Sequence, residues 1–122
     1  MGTSSYQELR VWPHAMQLAL STYGAPEKFP KHEIYGLSQQ MRRAAVSIAS
    51  NIAERKGRNT DKEFRQFLFN ARGSLLELET QIVIAHELQY IHSESFGNLR
   101  EQTKQVGRSL GGLLNSLTPM AA

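Results

Sequence analysis

The chain has no cysteine. That excludes disulfides, thiolate metal sites and cysteine nucleophiles together, and it fits a reducing, cytoplasmic setting. No apolar run approaches the ~20 residues needed to cross a bilayer, so no membrane role is expected. The opening residues MGTSSYQELR lack the basic start and apolar core of a signal peptide. Proline and glycine are sparse punctuation: Gly24, Pro26 and Pro30 fall in one loop, Gly57 in a second, and Pro119 near the end. Strand alternation is missing between these points, so no glycine-rich phosphate loop can follow a strand. The four histidines, His14, His32, His86 and His92, have no metal-ligand spacing. Neither His-Glu-x-x-His nor Glu-x-x-His occurs, which removes zinc-protease and di-iron bundle chemistry. No arginine has a histidine at the spacing used by four-helix ribonucleases. No serine is tied by spacing to a histidine and an acid as a triad. The expectation is a non-enzyme with no catalytic residues, no metal and no cofactor.

What is present is helical periodicity and uneven charge. At 122 residues the chain reads as one domain able to bury its own core. The first five residues and residues 118–122 are given no structural role, as a non-native or disordered start and a frayed end. Lysine and arginine exceed acids by 14 to 11, a mild excess. Its distribution is more informative. Residues 42–72 carry eight basic side chains and three acids, and residues 73–103 carry five acids and one arginine. Such polarity suits attraction of an anionic partner or head-to-tail contact between copies.

Four helices are expected. The first runs from about Val11 to Tyr23, with Pro13 in its first turn and Trp12, Ala15, Met16, Ala19 and Tyr23 as its apolar stripe. A loop follows, plugged by Phe29. The second helix runs from about Glu33 or Tyr35 to Lys56, with Leu37, Met41, Ala45, Ile48 and Ile52 inward and a flank of Ala44, Ala49 and Ala53. Gly57 is its natural stop. The third starts at Thr60, where Thr60 and Glu63 form a capping box. Its seam is Phe64, Leu68, Ala71, Leu75, Leu78, Ile82 and Ala85. Phe67, Phe69, Leu76, Val83 and Ile84 lie off that seam, more apolar surface than one partner face can bury. Gly73 and Ser74 within it predict a close approach to the second helix. The fourth starts near Ser93 as N-cap, with Phe96, Leu99, Thr103, Val106, Leu110, Leu113 and Leu117 inward. Together these predict an all-α, up-and-down, left-handed four-helix bundle.

The stretches LRVWPHA, FPKHEIYGLSQQMRRAAVSIASNIAE and EFRQFLFNARGSLLELETQI, within Leu9–Ile91, are similar to those of the bacterial 23S ribosomal RNA intervening-sequence proteins. NIAE and GSLLELE are the specific blocks. Arg55 stands where the family pattern has glycine after NIAE. The resemblance implies a compact bundle that assembles as a homopentamer. The family in turn resembles the accessory protein of diversity-generating retroelements, a basic pentamer that binds nucleic acid and a reverse transcriptase. RNA or DNA, a reverse transcriptase and further copies of the chain are thus the partners the resemblance implies. It implies no catalytic residues.

Two groups of side chains are candidate sites. Arg42, Arg43, Arg55, Lys56, Arg58, Lys62 and Arg65 read as a phosphate-contacting surface that releases counterions and is therefore salt-sensitive. The competing reading is a solvated helix end paired with Glu54, Asp61 and Glu63. Apart from Phe64, which belongs to the seam of the third helix, no aromatic is interleaved with these charges in sequence, which argues against base stacking. Ser47, Asn51 and Glu54 lie along one helical strip, with Arg72, Glu77 and Glu79 as expected partners across the bundle. That strip is either a ligand site or a hydrogen-bond network that fixes register. The network reading is the stronger because buried polar groups require partners. The leading functional expectation is a nucleic-acid-binding accessory or scaffold protein. The alternative is a structural or protein-interaction oligomer.

Overall fold

The structure is a computed structural model that describes residues 6–54 and 60–117. Its helices are α1 (Tyr6–Gly24), α2 (Leu37–Glu54), α3 (Asp61–Glu87) and α4 (Ser93–Ser116), with two short 3₁₀ turns, Ala25–Lys28 and Lys31–Glu33, between α1 and α2. α1 packs on α2 and α4, and α3 packs on the same two. The result is an all-α four-helix bundle with no strand among the described residues. The expected stop at Gly57, the helix end at Lys56 and the expectations for residues 1–5 and 118–122 lie outside the described residues.

α1 corrects the sequence reading twice. It begins at Tyr6, so Pro13 sits inside the helix and not in its first turn. The missing N–H leaves the Leu9 carbonyl without its helical partner, and Pro13 itself is on the exposed side. The buried stripe is Val11, Ala15, Leu18 and Thr22, while Trp12 and Tyr23 are exposed and Met16 and Ala19 are half-buried. Both stripes have helical spacing and differ by about 100° around the axis. Periodicity alone could not choose between them, and the aliphatic set won.

α2 starts at Leu37 and not at Glu33 or Tyr35. Glu33 still governs that start: its Oε1 accepts the Leu37 N–H at 3.1 Å, satisfying a free donor of the first turn and placing negative charge at the positive helix end. Met41, Ala44, Ala45, Ile48, Ala49 and Ile52 are buried, Leu37 is half-buried, and Ala53 is exposed instead of widening the inner face.

α3 is capped as its sequence predicts. The Thr60 hydroxyl accepts the Glu63 N–H at 3.1 Å. Leu68, Ala71, Leu75, Leu78, Ile82 and Ala85 are buried along one side, over a helix about 40 Å long. Ser93 is the first residue of α4 and not its cap. The cap position falls on His92, whose backbone is extended and whose side chain makes no capping bond.

Phe29 is buried and joins the two connections at one end of the bundle. Its ring meets that of Tyr90 with centroids 5.1 Å apart. The Tyr90 hydroxyl donates to Glu33 Oε2 at 2.9 Å.

Candidate nucleic-acid interface

Folding divides the basic group. Arg42 and Arg43 lie in the N-terminal half of α2, and Lys62 and Arg65 lie in the first turns of α3. Arg55, Lys56 and Arg58 lie outside the described residues. α2 and α3 are held in register by a hydrogen bond between the Ser47 and Ser74 hydroxyls, 2.8 Å apart. Counted from that contact, Arg43 and Arg65 are separated by about 20 Å along the hairpin. A sequence cluster has become two separate positions.

The twin arginine is itself split by role. Arg42 donates through Nε and Nη2 to the Tyr23 carbonyl, at 3.2 and 2.9 Å. That carbonyl is among the last of α1, where helical partners run out. A cation there also opposes the negative end of the helix dipole. The Arg42 guanidinium lies 5.2 Å from the Tyr23 ring centre, within cation–π range. Arg43 is exposed, as are Lys62 and Arg72. Among the described residues, none of these three has a carboxylate at ion-pair distance, whereas His32 pairs with Glu33 and Arg108 with Glu101, each at 3.7 Å.

Aromatic rings do join the arginines, although the sequence keeps them apart. Tyr23 and Tyr35 line a surface groove of about 590 Å³ together with Ile34, Arg42, Arg43 and Val46. Tyr35 is 86 % exposed. The argument against base stacking from the lack of interleaved aromatics in sequence therefore does not carry over to the folded surface, where two tyrosines stand beside Arg42 and Arg43. The 3₁₀ connection folds Tyr35 back beside α2, and α1 supplies Tyr23 from 19 positions upstream of Arg42.

The polar strip is a short network. Asn51 Nδ2 donates to the Ser47 carbonyl at 2.9 Å and to its hydroxyl at 3.2 Å. Ser47 then passes the connection to Ser74. The partner across the bundle is Ser74. Among the described residues no hydrogen bond or ion pair joins Arg72, Glu77 or Glu79 to this strip; Arg72 and Glu77 are exposed and Glu79 is half-buried. Glu54 is exposed at the end of α2. A two-serine contact suits a close helix pair because neither side chain is long enough to reach further.

Gly73 makes no close approach to another described residue, since a Cβ there would meet nothing within 4 Å. It belongs instead to a second stripe of α3: Phe69, Gly73, Leu76, Thr80 and Val83 at 4-3-4-3 spacing. Phe69, Leu76 and Val83 are 46, 56 and 37 % exposed, and Ile84 beside them is also exposed. Thr80 donates its hydroxyl to the Leu76 carbonyl at 3.1 Å, so it needs no polar partner outside the helix. The sequence reading found the large residues of this face but assigned Gly73 to the approach of α2 and left out Thr80. Their 4-3 spacing was the available signal.

These features define a four-helix bundle with unneutralised cations on its α2–α3 hairpin and an uncovered apolar stripe on α3. Residues 7–112 match the family model described as 23S rRNA-intervening sequence protein, and the chain belongs to that family. Among solved structures it is similar to a protein of unknown function from the S23 ribosomal protein family of Bacteroides thetaiotaomicron. The identity is 17 % and the TM-score 0.83, over 90 % of this chain and 99 % of the other. At that identity the likeness is one of fold. No curated protein matches the chain. No described helix is long and apolar enough to cross a membrane.

Proposed function

We propose that this protein is a non-enzymatic, self-assembling bundle that binds the backbone of RNA or DNA as an accessory or scaffold. The observation that carries the reading is the set of exposed cations on one hairpin, Arg43, Lys62 and Arg72, with no anionic partner among the described residues. Cations left in solvent attract polyphosphate by displacing its condensed counterions, without reading sequence. Assembly through the outer stripe of α3 multiplies that charge in one particle; the family resemblance supports a pentamer as the form of that assembly and a reverse transcriptase as a further partner. A continuous apolar stripe with a glycine at its centre supports self-contact, because a missing side chain lets another helix come close.

Fluorescence anisotropy with labelled RNA and DNA tests the reading, with sedimentation velocity in the same buffers. Binding is expected at about 50 mM salt and should weaken steeply by about 200 mM. An oligomer that binds no nucleic acid at the lower salt would leave a structural or protein-interaction scaffold as the function.

A further inference from the structure

The groove between the end of α1 and the first half of α2 has a composition that phosphate binding alone does not require. Phosphate contacts need cations in reach of solvent. This groove adds two tyrosine rings, Tyr23 and Tyr35, and two aliphatic side chains, Ile34 and Val46, beside Arg42 and Arg43. All four apolar or aromatic side chains are substantially exposed. We propose that the groove is a base-stacking site for single-stranded nucleic acid, with Tyr35 as the stacking platform and Arg43 as the phosphate contact. The proposal rests on the nucleic-acid reading above and adds strand type and mode of recognition to it.

Charge and shape argue for this occupant. No acidic side chain lines the groove, so an anionic partner meets no repulsion there. Arg42 is fixed by its two bonds to the Tyr23 carbonyl and rests over the Tyr23 ring. The ring and the guanidinium thus form a preorganised flat wall that a ligand need not order on binding. Tyr35 is presented to solvent by the short connection ahead of Leu37. A flat, apolar body joined to a negative charge satisfies both walls, and an unpaired nucleotide has that form. A duplex keeps its bases stacked on each other and offers only phosphates, so it gains nothing from the rings.

The test compares three probes on the full chain at fixed salt: a short oligo-dT strand, an abasic strand of equal length, and a duplex. The abasic strand keeps the phosphates and removes the stacking partner. Oligo-dT is expected to bind more tightly than the abasic strand. Tyr35→Ala should lower oligo-dT affinity about tenfold and leave abasic affinity unchanged, while Tyr35→Phe retains binding. Arg43→Ala should weaken all three probes. Sedimentation of Tyr35→Ala accompanies the titrations. Equal affinity for oligo-dT and abasic strands, or no effect of Tyr35→Ala, overturns stacking and leaves backbone binding intact. No binding by any probe at low salt overturns both. Loss of the oligomer in Tyr35→Ala overturns the proposal by assigning the groove to contact between copies.

Discussion

Arg42 and Arg43 are adjacent in sequence and are expected to fail in different ways when removed. Arg42→Ala deletes two charge-assisted hydrogen bonds to the Tyr23 carbonyl and the cation at the end of α1. Each bond contributes about 0.5–1.5 kcal/mol net, and the dipole about 0.3–1 kcal/mol. The bonds share one acceptor at a partly solvated site, so the expected loss is about 1–2 kcal/mol and not their full sum. For a chain of this length that is a fall in Tm of about 4–8 °C. Arg42→Lys keeps the charge and loses the two-pronged geometry, so it should recover only part of the deficit. Arg43 is exposed with no partner among the described residues. Arg43→Ala should change stability by less than about 0.5 kcal/mol while lowering nucleic-acid affinity and the salt slope by about 0.7–1. Urea melts followed by circular dichroism, paired with anisotropy titrations across salt, measure both effects. Arg42→Ala melting like the parent, or Arg43→Ala melting as early as Arg42→Ala, would refute the assignment of roles.

Three other outcomes are expected. In a double-mutant cycle on Ser47→Ala and Ser74→Ala, urea melts should show a coupling of about 0.5–1.5 kcal/mol, and additive losses would mean that their hydroxyls do not act together. Asn51→Ala should lower stability by about 1 kcal/mol before it alters nucleic-acid binding, and lost binding with an unchanged melt and oligomer would make the strip a ligand site. Glu33 is held below its usual pKa first by the Leu37 N–H, then by the Tyr90 hydroxyl, with the His32 charge adding to them. Its contribution therefore exists above the ordinary carboxylate range and is lost as pH falls through the depressed folded value. Tyr90 is pushed upward, chiefly by its bond to Glu33, so its contribution is lost as pH rises through the raised folded value. The Tm gap between the parent and Tyr90→Phe should be constant between those limits and shrink beyond each; a gap unaltered in acid would remove Glu33 from the account.

The parts of the fold that were legible in sequence are those fixed locally or by a long pattern. The α3 seam extends over six buried residues, so its phase leaves little choice. Thr60 and Glu63 meet within one helical turn. Phe29 stands before a proline among polar neighbours, and the plug it predicts is buried. The misreadings lie where two answers had similar local support or where the partner comes from a distant segment. α1 offers two stripes, and only packing against α2 and α4 selects Val11 and Leu18 over Trp12 and Tyr23. The contact of Arg42 with Tyr23 and that of Ser47 with Ser74 depend on helix register, which composition does not encode. Gly73 was explained by the neighbour already in view, α2, although its open surroundings place it on the other side of the helix.

That placement bears on whether assembly and binding can coexist. At about 100° per residue, Phe69, Gly73, Leu76, Thr80 and Val83 centre roughly 140° around α3 from Ser74. Ser74 marks the flank that meets α2. The outer stripe therefore points away from α2, whereas the Tyr35–Arg43 groove is built on α2 and the end of α1. Copies that join through α3 would leave the groove open in every subunit, and each added subunit would bring one more cationic site to the particle. The consequence is separability. Leu76→Glu puts a charge into the stripe and should dissociate the oligomer while the monomer keeps its helical circular dichroism, because Leu76 contributes little to the core at 56 % exposure. The dissociated chain should still bind a short single strand at one site, and should lose only the gain from linking sites on a long strand. Arg43→Ala should do the reverse, weakening short and long strands alike in an intact oligomer. If Leu76→Glu abolished binding of short strands as well, the site would have to be built from more than one subunit, and the single-chain groove could not be the whole of it.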